Sequence, residues 1–180
     1  MTVYELWLPI VASGLATHIL STIAWVALPH HKPDWQKLPD EDKLHDSITK
    51  SVPPGQYIFP YARDGDTAKS ENFKKKSEQG TGMLIIWNNP TNMGKAILQT
   101  LTAFMVIAFV IGYLASLALQ PGAEFMKVFQ FVTSAGLLAY VSAHFPFVFW
   151  FRRKMAMELV DGVVFAIATG LVFASLWPTA

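Results

Sequence analysis

The chain has 180 residues, 52% of them hydrophobic and 15% charged, with 14 bases against 13 acids, a formal net charge of +1 and no cysteine. That apolarity excludes a disordered chain, and the balanced charge leaves no basic surface for gripping nucleic acid, so no nucleic-acid partner is expected. The missing cysteines remove disulfide scaffolds, thiolate zinc sites, iron–sulfur clusters and cysteine nucleophiles together.

The first predicted element fills residues 1–28. Its apolar run, Leu6 to Leu28, exceeds the roughly 20 helical residues that cross a hydrocarbon core. The leader Met1 to Glu5 has no Lys or Arg, and Trp25 stands where cleavage after Ala27 would need a small residue. The segment therefore reads as a retained anchor and not a signal peptide. Gly14, His18, Ser21 and Trp25 recur at helical spacing and share one face. An ionisable group at membrane depth is costly enough to make His18, with Ser21 beside it, a functional candidate; the plainer reading is a neutral ring bonded to Ser21, Tyr140 or a backbone carbonyl.

Residues 29–95 carry nine acids and ten bases with Pro and Gly throughout, the composition of a soluble loop. The opening Pro29-His30-His31-Lys32-Pro33-Asp34, with His45-Asp46 further on, offers imidazole and carboxylate groups suited to a divalent ion. The spacing fits no zinc template, and His30 and His31 beside Trp25 and Trp35 read more simply as amphipathic anchors at the membrane interface. Asp40 is placed to cap a helix through Lys50. Gln56 to Phe59 and Met83 to Trp87 read as two short strands, and the polar stretch Arg63 to Gln79 between them as a mobile tip. A lone two-stranded hairpin is marginal in water, so its apolar residues need a cover. Arg63-Asp64-Gly65-Asp66 lacks the remaining ligands of a calcium loop. Gly80-Thr81-Gly82-Met83 lacks the Lys-Ser/Thr of a phosphate loop, and neither Gly-x-Ser-x-Gly nor His-Glu-x-x-His occurs.

Three further spans follow: 96–119, capped by Asn92 or Thr91, then 126–150 and 159–177. Pro121-Gly122 is a tight-turn signal that makes the second and third spans an antiparallel hairpin, and the last two form another. Thr133, Gly136, Tyr140 and His144 share a face of the third span, and Pro146 is expected to kink it, leaving the Ser142 carbonyl free. The fourth span carries a small residue at every fourth position, Gly162, Ala166, Gly170 and Ala174, a stripe that admits close helix approach. Ala108 and Gly112 are a weaker copy and the expected facing surface. Lys127 and Asp161 are the only charges inside these spans, each near an end from which it can reach the interface.

The predicted fold is all-α transmembrane, a four-helix membrane bundle of two antiparallel helical hairpins with a small, partly β cytoplasmic loop between helices 1 and 2. Bases flanking the spans stay cytoplasmic, and Lys32, Lys95 and the cluster Arg152, Arg153 and Lys154 agree on one side. Both termini are then outside, in a bacterial-type inner or plasma membrane. Trp25 and Trp150 mark the inner interface, Trp7 and Trp177 the outer one. A haem b held by His18 and His144 would have to bridge a depth offset of about 9 Å at 1.5 Å per residue, so neither haem nor a divalent metal is assigned. With no catalytic constellation, the sequence points to a non-catalytic accessory, assembly or scaffold subunit. Its partners would be the lipid bilayer and other membrane subunits or a second copy. The rival is a small oligomeric proton or solute transporter using His18, Tyr140 and His144.

Overall fold

The computed structural model describes residues Met1 to Thr179. In chain order the elements are α1 (Trp7–Thr22), α2 (Glu41–Ser51), β1 (Gly55–Phe59), α3 (Gly65–Lys69), α4 (Glu71–Gln79), β2 (Gly82–Ile86), α5 (Met93–Ala118), α6 (Phe125–Tyr140), α7 (Phe145–Phe151) and α8 (Ala156–Ser175). Four helical stretches are long and apolar enough to cross a membrane: Val3–Ala27, Met93–Ala118, Phe125–Phe151 and Ala156–Ser175. The chain divides into two compact units, one of Met1–Trp35 with Asn92–Ala180 and one of Gln36–Thr91.

In the first unit α1 is preceded by a 3-10 turn, Val3–Leu6, and runs into one wider π turn over Ile23–Ala27 before the chain leaves the helix at Leu28. The start of α5 is fixed by Asn92, whose Oδ1 accepts the Lys95 N–H at 3.0 Å. At its far end Gly122 takes φ +73, a left-handed conformation that glycine reaches without steric cost. That turn is clipped to the end of the chain. The Gly122 N–H donates to the Pro178 carbonyl at 2.8 Å and the Trp177 indole N–H to the Gln120 carbonyl at 3.0 Å. Trp177, expected at the outer interface, is buried within the protein, its indole N–H held by that backbone carbonyl.

The third span is interrupted. Helix α6 stops at Tyr140, Ser142–His144 form a 3-10 turn, and α7 restarts at Phe145 with Pro146 in its first turn. A proline there loses no bond, since first-turn N–H groups have no helical acceptor. The expected kink at Pro146 is thus a break placed ahead of it, and His144 leaves the helix that carries Thr133, Gly136 and Tyr140.

Leu6, Ile10, Ile111, Val128, Val132 and Phe173 form the centre of the apolar core. The α8 stripe is spent inside the molecule, against α6 and not against Ala108 and Gly112. A Cβ on Gly162 would lie 2.6 Å from the Tyr140 carbonyl oxygen, one on Gly136 would lie 2.9 Å from Ala166 Cα, and one on Gly170 would strike Thr133 Oγ1. Gly112 instead makes room for Ile10 and Phe173. In lipid the attraction between helices comes from such close backbone packing, which explains why small residues line this contact.

In the second unit β1 and β2 pair antiparallel, from Gly55 opposite Ile86 to Phe59 opposite Gly82. The stretch between them, expected as a mobile tip, is folded into α3 and α4. Asp64 Oδ1 accepts the Thr67 N–H at 2.8 Å, Ser70 Oγ accepts the Phe73 N–H at 3.2 Å, and Lys74 pairs with Glu71 at 2.8 Å. Two side-chain caps in succession satisfy donors that would otherwise be orphaned at each helix start. Asp40 does precede α2, but it sits in a left-handed conformation with φ +46 and its side chain caps nothing. Not one residue of Gln36–Thr91 is buried.

Candidate functional site at the His30–His31 turn

Leaving α1 through its π turn, the chain makes a tight turn in which the Lys32 N–H donates to the Pro29 carbonyl at 3.0 Å. That turn carries His30 and His31 back onto the first part of α8. His30 Nε2 lies 3.1 Å from Asp161 Oδ1, and His31 Nε2 lies 2.9 Å from Asp161 Oδ2. One carboxylate thus receives both imidazoles, one on each oxygen. The far nitrogen of His31, Nδ1, is 2.8 Å from Asp34 Oδ2, and its ring stacks on Trp25 with centroids 3.8 Å apart and planes 4° from parallel. The site is mostly buried, with His31 4% and Asp161 8% exposed and the His30 side chain 23% exposed. A second tie holds the turn: Lys154 Nζ donates to the Pro33 carbonyl at 2.8 Å.

Burial alone would lower the His31 pKa, but the hydrogen bonds to Asp161 and Asp34, together with the charges on both carboxylates, outweigh it and raise the ring above its ordinary value. Both ring nitrogens face carboxylate oxygens. A neutral imidazole has a single N–H and cannot satisfy both, which is the hydrogen-bond counterpart of that upward shift.

Asp161 also lines a cleft of about 290 Å³ whose other walls include Ser21, Trp25, Tyr140, His144 and Glu158. Ser21, Tyr140 and His144 are therefore brought together. His18 lies instead against the edge of Phe104, at 6.3 Å between ring centroids, and its buried Nδ1 has no hydrogen-bond partner. The Tyr140 hydroxyl and Thr133 Oγ1 are also buried without partners, while Thr17 and Thr169 approach each other at 3.5 Å. Among the interfacial anchors, Trp150 is highly exposed at the end of α7, Arg152 takes a left-handed turn conformation after it, and Arg153 lies 3.7 Å from Glu158.

The residue that sequence reasoning missed is Asp161, taken there as a charge free to reach the interface. Its signal was present. An acid inside one apolar helix and two histidines just after another are each costly to bury alone, so each supplies what the other needs. No family model, curated protein or solved structure matches the chain.

Proposed function

We propose that this chain is a non-catalytic accessory or assembly subunit of a larger membrane complex, and that Gln36–Thr91 is the part that docks. One observation carries the reading: a unit holding a two-stranded sheet and three helices has no buried residue at all. Ile58, Ile85 and Trp87 are 56%, 49% and 70% exposed. So small an unit has no core of its own, and a lone hairpin needs a third surface to be stable. With eight bases and eight acids, it has no net attraction to an anionic lipid surface, which favours a protein as the cover. In this reading the unit lies on the cytoplasmic side with the Arg152–Lys154 turn, and both termini lie outside.

The cysteine-free sequence supplies a clean test: Ile85→Cys, labelled with a membrane-impermeant thiol reagent on opened native membranes and on liposomes of the purified protein. Protection in native membranes only is the expected result. Protection in both would mean that the bilayer is the cover, and labelling in both would remove the docking reading.

A second reading is favoured by the cleft. Ser21, Tyr140 and His144 face one space, and the Tyr140 hydroxyl is buried without a partner, the kind of polar group that marks a proton or solute path at membrane depth. Proton flux into liposomes that falls at least tenfold with Tyr140→Phe and His144→Phe together would sustain it; flux no greater than in protein-free liposomes would end it.

A further inference from the structure

We propose that His30, His31 and Asp161 bind one divalent transition-metal ion of the zinc type, with Asp34 as the outer partner that orients His31. The three side chains each offer one donor atom, and these atoms all lie within 4.8 Å of one another. A tetrahedral ion about 2.0–2.2 Å from nitrogen and oxygen ligands holds its donors about 3.4 Å apart. His30 Nε2 and His31 Nε2 lie 3.1 Å and 2.9 Å from opposite oxygens of Asp161, so admitting an ion takes a slight opening of these contacts and side-chain rotations that draw the three donors, now within 4.8 Å of one another, to that spacing.

The arrangement behind the donors is what distinguishes this cluster from a chance meeting of charges. A metal-ligating histidine characteristically gives its other ring N–H to a carboxylate, which fixes the tautomer and the ring plane. His31 Nδ1 is placed to do so, 2.8 Å from Asp34 Oδ2, and the parallel Trp25 ring holds the same plane from its face. With an ion bound and Nδ1–H given to Asp34, the Nε2 lone pair would face that ion beside Asp161. An ion there would replace the second proton that the two carboxylates otherwise demand of the ring.

The donor chemistry selects the class of ion. Two imidazoles and one carboxylate suit zinc and neighbouring divalent ions of the first transition row. Magnesium and calcium favour all-oxygen sites, and the chain has no thiolate for softer metals. Three protein ligands leave one position open. Asp161 also stands on the wall of a cleft, from which a water would fill that position. His45, on α2 of the other unit, lies outside the proposed ligand set.

The experiment uses the full chain, purified in mild detergent without a polyhistidine tag and stripped with a chelator. It is titrated with Co²⁺ as a spectroscopic probe and with Zn²⁺ by calorimetry. One ion per chain is expected, with the visible absorption of nitrogen- and oxygen-ligated Co²⁺ and an unfolding midpoint raised by Zn²⁺. Asp34→Asn should weaken binding about 10- to 100-fold, and Asp161→Asn on the order of 100-fold or more. His45→Ala should leave affinity unchanged. Asp161→Asn keeps the shape and a hydrogen-bond acceptor, so its metal-free unfolding midpoint reports separately whether the fold survives. Folded wild-type protein that takes up no ion, or uptake unchanged in Asp161→Asn and in His31→Gln, would overturn the site and leave a hydrogen-bonded strap.

Discussion

At Gly162 the missing side chain is what lets α8 touch α6, since a Cβ there would sit 2.6 Å from a backbone carbonyl oxygen that cannot swing away. Gly162→Ala is accordingly expected to destabilise the first unit by about 1–3 kcal/mol, the usual cost of overpacking a tight contact. Gly65, in α3, has nothing within 4 Å of the same position, so Gly65→Ala should be neutral or stabilising by up to about 1 kcal/mol. Unfolding in mild detergent followed by near-UV circular dichroism checks the first, and amide exchange across α3 checks the second. The stripe was legible as a stripe, because four small residues at helical spacing have few other uses in a membrane helix. Its partner was not, because a pattern of absent side chains says how near a neighbour comes and not which neighbour. The same gap hid the pairing of Asp161 with His30 and His31: each residue was visible alone, and only the folded chain brings residues 130 and 131 positions apart into contact.

Element boundaries followed the strongest local chemistry. The cap expected from Asn92 or Thr91 is supplied by Asn92, the tight turn expected at Pro121-Gly122 is there, and both strands fall within a residue or so of their predicted limits. The misread segment, Arg63 to Gln79, is polar without an apolar stripe, so hydrophobic periodicity had nothing to register; the Asp64 and Ser70 caps were the usable signal. The third span read as one kinked helix because its apolarity is continuous, whereas the chain breaks ahead of Pro146, where the Ser142 carbonyl, expected to be free, accepts the Phe145 N–H. The clip between the α5–α6 turn and the end of the chain makes a separate prediction. Trp177→Phe keeps an aromatic ring but leaves the Gln120 carbonyl without its indole donor, and should cost about 1 kcal/mol. A lowered thermal midpoint with unchanged helicity is the expected signature.

For the whole molecule, the two units differ in what holds them. The first has a continuous core running from Leu6 and Ile10 to Val132 and Phe173, while the second has no buried residue and is held by its sheet, its helices and exposed side-chain bonds. Hydrogen exchange on the purified protein should therefore show β1 and β2 amides exchanging orders of magnitude faster than those around Thr169, which is fully buried. Comparable protection in both would mean that the hairpin is stable without a partner. The strap from His31 to Asp161 spans 130 residues of sequence, and so long a closure is among the last contacts a chain makes. A ribosome still holding α8 has already released α1 and the turn after it, with the two histidines unmatched. Until α8 is made, α1 has its packing on α5, where Gly14 lies against Met105, and a chain cut short before Asp161 would carry both histidines without the carboxylate that receives them.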